Sequence, residues 1–443
     1  KFVAAHCHFF NSKFLILETL AMLKNWFRHE YPHAPGMVAM PAEAGIRRKF
    51  NLFRWAYEIG KWIYDISRSI AVGLAYDAEG QYEFLERSAR KKMPSFDEFY
   101  AVPLMMDIYY NFDNSLIQDD RALLLEDSEA EDADKQNYEA CRDNLILGFT
   151  SAMGEEEFRS NIKETNAVGA EILNRDYVLA IEKDLERLDS ADPLAGVMGV
   201  EAGKGEYPAV GESTPGFKSN FLELHALSLK MEGKVRPFLA VDPRRINVMS
   251  LVRQFVKKQG PFYGVKLYPN LGYRIDLQGN PFWDDLFKFC VKDDIPITYH
   301  SSHGGFNFPF AADCSDYGDP SDWIPVLEKY PTLRVDFAHF GGAITDSNKP
   351  GYHWKETVAQ LLAKPNVYTD LSCNDYEARI HAALRLAGTN IDKVMYGTDN
   401  PVMYIACATG IDLYNEDFRA AVEKFDPGVA DKVFSENALK FLE

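Results

Sequence analysis

The chain has 443 residues, 47% of them hydrophobic, with 66 Asp and Glu against 48 Lys and Arg, for a formal net charge of −18. That is enough apolar material for a large core. The acidic balance argues against nucleic acid and anionic membranes as main partners, yet leaves room for a small anionic substrate held by a few local cations.

The N-terminal residues read Lys1-Phe2-Val3-Ala4-Ala5-His6-Cys7-His8, an apolar run that ends in a His-x-His pair. Alternate residues of a strand share a face, so both imidazoles project together from its C-terminal end. Two imidazoles so placed can grip one divalent metal. Chance alone gives roughly 0.2 such patterns in a chain of this composition, so further ligands must be found elsewhere. By the same alternation Cys7 faces away and reads as packing. The apolar run is too short, and too rich in His, for a signal peptide.

Further buried strands are expected at 101–109, 235–241, 263–268, 296–300, 333–339, 366–371 and 393–397, making eight with 2–8. Helical spacing fills 247–259, 281–292, 321–329, 354–363 and 376–387. Strands that alternate with helices imply a parallel sheet with helical crossovers, and eight units point to a closed (β/α)8 TIM barrel, an α/β fold. The first half is less regular. Residues 11–27, 52–67 and 155–188 read as helices, the second carrying Trp55 and Trp62. Residues 126–135 are an acidic solvated run and 203–215 a loop. The chain is therefore expected to be one discontinuous domain. Residues 1–10, 101–110 and 235–443 form the barrel, and 11–100 and 111–234 are mostly helical cap insertions over its mouth.

Six scattered Cys (Cys7, Cys141, Cys290, Cys314, Cys373 and Cys407) without close pairs suit free thiols in a reducing, cytoplasmic setting. No apolar run is long enough to span a membrane.

Three strand ends supply ligand-type residues: His300 after Ile297-Thr298-Tyr299, His339 after Val335-Asp336-Phe337-Ala338, and Asp399 after Tyr396-Gly397-Thr398. The other strand ends read as empty of ligands. The remaining six of the ten His fall in expected helices or loops. This pattern resembles the amidohydrolase superfamily, and the segments Phe238-Leu239-Ala240-Val241-Asp242-Pro243, Gly264-Val265-Lys266-Leu267-Tyr268-Pro269 and Gly397-Thr398-Asp399-Asn400-Pro401 resemble its amidohydrolase-2 branch, which includes metal-dependent decarboxylases. The resemblance covers the first ten residues and 235–443. One departure is Ala4, where the family often has an acidic residue two before the first His.

The resemblance implies one divalent metal, Zn²⁺ foremost with Mn²⁺ as another option, held by His6, His8, His300 and Asp399. It makes His339 the acid/base and Asp399 a second proton carrier. Such a metal lowers the pKa of bound water to about 7. Lys266, His303, Arg274 and Arg47 (with its neighbour Arg48) are candidate contacts for an anionic substrate, and Asp242 is expected to pair with an adjacent Arg. The leading expectation is hydrolysis of a C–N or C–O bond in a cyclic amide, lactone or ester. Its rival is non-oxidative decarboxylation of an unsaturated or aromatic acid, and an inactive binding barrel is the alternative of another class. The partner is a small molecule, and a homo-oligomer is compatible with the sequence.

Overall fold

The computed structural model describes residues 1–9, 77–107, 215–245, 248–303, 315–342, 353–374, 376–403 and 410–443. Within them eight parallel strands run in chain order. They are β1 (Phe2–Cys7), β2 (Phe99–Pro103), β3 (Phe238–Ala240), β4 (Gly264–Leu267), β5 (Ile297–Tyr299), β6 (Val335–Phe337), β7 (Val367–Asp370) and β8 (Val394–Met395). β1 pairs with β2, and β3 to β8 form one six-stranded sheet in sequential order.

Backbone hydrogen bonds close both seams. Ala101 N–H donates to Lys234 O and Arg236 N–H to Ala101 O, both at 2.9 Å, joining β2 to the start of β3. Ala5 N–H donates to Tyr396 O at 3.0 Å and His8 N–H to Asn400 O at 2.7 Å, joining β1 to β8. The fold is the expected α/β barrel, with strands at seven of the eight expected positions and β2 beginning two residues earlier than expected.

The helices are α1 (Ala78–Lys92), α2 (Pro215–Lys230), α3 (Val248–Phe255), α4 (Pro281–Asp293), α5 (Ile324–Lys329), α6 (Trp354–Leu361), α7 (Glu377–Ala387), α8 (Ile411–Phe425) and α9 (Asn437–Leu442). α1 starts where the Asp77 carboxylate accepts from Gly80 N–H at 2.7 Å, and it ends on Arg90, Lys91 and Lys92, in keeping with the helix dipole. Its buried stripe is Tyr82, Leu85 and Ala89. Lys91 and Ser88 both reach Asp412 on α8, at 2.5 and 2.7 Å. α1 and α2 are thus crossover helices between β1 and β2 and between β2 and β3. The rest of the expected cap, including 11–27, 52–67, 126–135 and 155–188, lies outside the described residues. No helix among the described residues is long and apolar enough to cross a membrane.

β1 holds a detail that positions the site. Its pairing advances from Ala4↔Ala101 to Cys7↔Pro103, so one extra residue is taken up on β1. Before this bulge Val3 and Ala5 point into the barrel, where they cluster with Tyr100, Val102, Phe238 and Met395 over Phe441 of α9. After it, His6 and His8 take that inward face, and Cys7 joins the other core cluster with Phe2 and Ala4. Helix α9 therefore plugs one end of the barrel and the two histidines open at the other. Gly397 lets β8 come close there, since a Cβ on it would lie 2.7 Å from the His6 Cβ.

Candidate metal centre

His6 and His8 are both buried, and each ring is fixed through Nδ1. His6 Nδ1 donates to Asp370 Oδ2 at 2.8 Å. His8 Nδ1 donates to the Leu104 carbonyl at 2.6 Å. Both Nε2 atoms then turn to one oxygen, Asp399 Oδ1, at 3.0 Å from His6 and 2.8 Å from His8. The His6 Nε2 is fully buried and makes no aligned hydrogen bond there. Outer hydrogen bonds that fix the tautomer, with inner nitrogens converging on a carboxylate, are what a divalent cation requires of imidazole ligands. The donor set fits.

The electrostatics agree. Burial pushes the His6 imidazolium down, but the Asp370 and Asp399 carboxylates outweigh it and hold its pKa up at about 9. His8 is pushed below its ordinary value by burial. Burial would raise Asp370 and Asp399, yet the neighbouring His6 holds both well below the carboxylate range. With Asp370 and Asp399 ionised against Lys266 and His6, the centre is neutral. A divalent cation that displaces the His6 proton leaves one net positive charge, which favours an anionic nucleophile or substrate.

His339 sits beside this group, its ring 4.8 Å from that of His6. Burial pushes its pKa down to about 4, so it stays neutral at pH 7. Its Nδ1 lies 2.8 Å from Ser372 Oγ and its Nε2 3.2 Å from His300 Nδ1. His300 thus comes to the centre through His339, with its ring edge-on to Tyr268 at 4.1 Å. Among the described residues, His6, His8 and Asp399 form a group whose ligand atoms lie within 4.8 Å of one another, and His300 is in no such group.

Of the expected substrate contacts, Lys266 lies in the barrel. It is buried, and its Nζ has no hydrogen-bond partner. Burial lowers its pKa to about 8 against the pull of Asp370, Asp399 and Asp336. A cleft beside it is lined by Met105, Asp107, Asp242, Tyr268 and Tyr273. His303 and Arg274 stand apart from it and both meet Asp316. His303 Nδ1 lies 3.2 Å from that carboxylate while its ring stacks on Trp354, and Arg274 donates to the Asp316 carbonyl at 3.3 Å. Arg47 and Arg48 lie outside the described residues. Asp242 pairs with Arg244 through both carboxylate oxygens, as the sequence suggests.

One expectation needs correction: the end of β7 is not empty. Asp370 orients His6, accepts from His339 N–H at 3.2 Å and from Ser372 N–H at 2.9 Å, and is the most heavily bonded carboxylate at the centre. Ser372 Oγ contacts His6 Nδ1 at 3.1 Å, and Cys373 donates to Asp399 Oδ2 at 2.9 Å. The signal was legible, because Val367-Tyr368-Thr369-Asp370 is an apolar-alternating run ended by a carboxylate, as the β8 run is ended by Asp399. Asp336, whose carboxyl burial pushes well above its ordinary value, is a second omission.

The sequence model of the family described as amidohydrolase matches residues 228–443. This segment carries the likeness to the amidohydrolase family. The family's members are metal-dependent enzymes, and the match takes in β3 to β8 with His300, His339, Asp370 and Asp399, while His6 and His8 precede it. Among solved structures, a 5-carboxyvanillate decarboxylase from Novosphingobium aromaticivorans, in complex with manganese and 4-hydroxy-3-methoxy-5-nitrobenzoic acid, is 19% identical over 51% of this chain and 68% of its own, with a TM-score of 0.35. A 2,6-dihydroxybenzoate decarboxylase from Rhizobium is 16% identical over 51% and 78%, with a TM-score of 0.36. An amidohydrolase from Burkholderia multivorans with bound zinc is 14% identical over 51% and 78%, with a TM-score of 0.38. No curated protein matches the chain.

Proposed function

We propose that this protein is a metal-dependent hydrolase that cleaves a C–N or C–O bond of a small molecule, such as a cyclic amide, lactone or ester. The observation that carries the reading is the convergence of His6 Nε2 and His8 Nε2 on Asp399 Oδ1, with both Nδ1 atoms engaged elsewhere. His6, His8 and Asp399 would hold the cation, with His300 the candidate fourth ligand. Bound there, Zn²⁺ or Mn²⁺ supplies Lewis acidity and activates water.

The chain's own residues divide the remaining work. His339 is neutral and accepts a proton from the attacking water, then returns it to the leaving group. Ser372 fixes its ring through Nδ1. Asp399 keeps its second oxygen outside the His6–His8 group, where it can carry a proton in turn. Lys266 offers a buried cation for an oxyanion or a substrate carboxylate.

That same Lys266 favours decarboxylation as a second reading. An ammonium without a hydrogen-bond partner, beside a cleft, suits a substrate that arrives as a carboxylate. The test is a paired screen of Zn²⁺- and Mn²⁺-loaded protein against lactones, cyclic amides and aromatic or unsaturated acids, following both hydrolysis and CO₂. Hydrolysis is the expected result. Release of CO₂ without hydrolysis overturns it in favour of the second reading. Inactivity of stoichiometrically loaded protein on every class points to a barrel used for binding.

A further inference from the structure

The metal reading above uses only one side of Asp399. Its Oδ1 faces His6 and His8, but its Oδ2 accepts from the Cys373 thiol at 2.9 Å. A ring nitrogen of His339, Cys373 Sγ and an Asp399 oxygen lie within 4.8 Å of one another. His339 and Asp399 are buried, and Cys373 is half-buried and in no disulfide. The shared carboxylate is faced on its other side by the fully buried His6 Nε2, which has no aligned hydrogen bond. Each of the three residues also holds a left-handed backbone, with φ of 62° at His339, 59° at Cys373 and 59° at Asp399. A non-glycine residue there costs on the order of 1 kcal/mol, and here the cost recurs at all three members of one cluster.

We propose that His339, Cys373 and the outer oxygen of Asp399 form a second metal position, selective for thiophilic ions, that shuts the enzyme off by capturing His339. Imidazole, thiolate and carboxylate together favour Zn²⁺, Cd²⁺ or Co²⁺ over Mn²⁺ and Mg²⁺. On binding, the S–H bond breaks and the metal–sulfur bond forms. The thiol proton leaves to solvent, one proton per ion, and no electron is transferred. Asp399 can serve both positions because it presents one oxygen to each. An ion at the second position occupies the imidazole lone pair that the hydrolytic reading assigns to proton transfer. The inhibitory consequence therefore rests on that reading, while the ligand set does not.

The experiment is a titration of the metal-free full chain with Co²⁺, following bound equivalents and the near-ultraviolet thiolate-to-cobalt absorption. Two equivalents are expected, the absorption growing in with the second. Cys373→Ser should bind one equivalent without that absorption. So should Cys373→Gly, which suits the positive φ, and unfolding midpoints of both variants establish that they are folded. Mn²⁺ should fill one position only, and Zn²⁺ beyond one equivalent should lower turnover at least tenfold in the wild type. Two equivalents without thiolate absorption overturn the proposal, as does absorption that saturates at one equivalent or persists in both variants. One equivalent without thiolate absorption leaves the hydrolytic centre standing and removes the second position. No bound Co²⁺ at all removes both.

Discussion

Asp370→Asn separates the two jobs that Asp370 does for His6, and pH tells them apart. The carboxylate fixes the His6 tautomer through Nδ1 at 2.8 Å, which aims a lone pair at the metal position. It also holds the imidazolium on His6, whose pKa is raised from 6.5 to about 9, a rise worth on the order of 3 kcal/mol. The first effect helps metal binding and the second opposes it, because the ion must displace that proton. At pH 7, two units below about 9, proton competition costs the wild type roughly a hundredfold in affinity. Loss of an outer carboxylate costs about 10- to 100-fold. The amide should therefore bind metal within about tenfold of wild type at pH 7, where the two effects offset. At pH 9 competition has vanished, and the variant should be about 10- to 100-fold weaker.

The sign follows the raised pKa. Stability that His6 gives the metal-free fold is fully present below 6.5 and lost as pH rises through about 9. Metal affinity runs the other way, gaining about tenfold per pH unit between 7 and 9 in the wild type and little in the variant. Chelator competition at several pH values measures both slopes. Parallel slopes would refute the reasoning. The metal-free variant should also unfold at lower denaturant, because the single amide oxygen cannot accept from both the His6 Nδ1–H and the Ser372 and His339 N–H donors, and each donor left over costs about 1–3 kcal/mol.

Replacing the neutral base, His339→Asn, should leave the first metal equivalent in place and lower kcat about 10²- to 10⁴-fold. If that equivalent is lost as well, His339 is a ligand of the first ion and not a proton carrier. Lys266→Met should raise KM for anionic substrates at least tenfold and lower the stability of the metal-free fold, since it leaves the buried Asp370 and Asp399 with one cation fewer. An unchanged KM, measured by initial rates, would remove Lys266 from the substrate site. Asp107→Ala should destabilise by about 3–5 kcal/mol in denaturant unfolding, because it strands the buried Arg245 guanidinium that Asp107 now grips through both carboxylate oxygens.

The barrel was legible because its strands are short apolar runs and its helices are amphipathic, and the two alternate at a steady spacing from 235 onward. Helices α1, α2, α8 and α9 fall outside the expected set, although α1 buries a regular stripe of Tyr82, Leu85 and Ala89. Alternation between recognised strands gives no reason to look for one inside the long interval before β2, or after the last strand. The His6–His8–Asp399 group was legible from strand ends. What sequence could not give is which face each strand presents. Simple alternation puts His6 on the face of Ala4, and only the extra residue between Ala4 and Cys7 turns it to the face of Val3 and Ala5. His303 and Arg274, singled out by residue type, both meet Asp316, where the segment 315–318 passes beside them, a neighbour that spacing in the sequence does not reveal.

The layer beneath the metal group explains why the barrel carries polar residues where packing alone would place apolar ones. Lys266, Thr298 and Asp336 are register partners on β4, β5 and β6, so their side chains lie side by side in the interior. Thr298 donates to Asp336 at 3.1 Å, but Lys266 Nζ and Asp336 Oδ1 stay without partners. Each such group costs about 1–3 kcal/mol, and a leucine layer would be more stable. The arrangement makes sense only with the charge above it. Burial and Asp370 push Asp336 toward its neutral form, while Lys266 stays close to its titration point at about 8. An acid pushed toward neutrality and a poised ammonium below Asp370 and Asp399 limit the negative charge of the empty centre and supply a cation when an anion enters. The layer therefore sets the charge of the site at a cost in stability, and the α9 plug, with Phe441 packed on Phe238 and Tyr368, seals that layer from solvent at the far end.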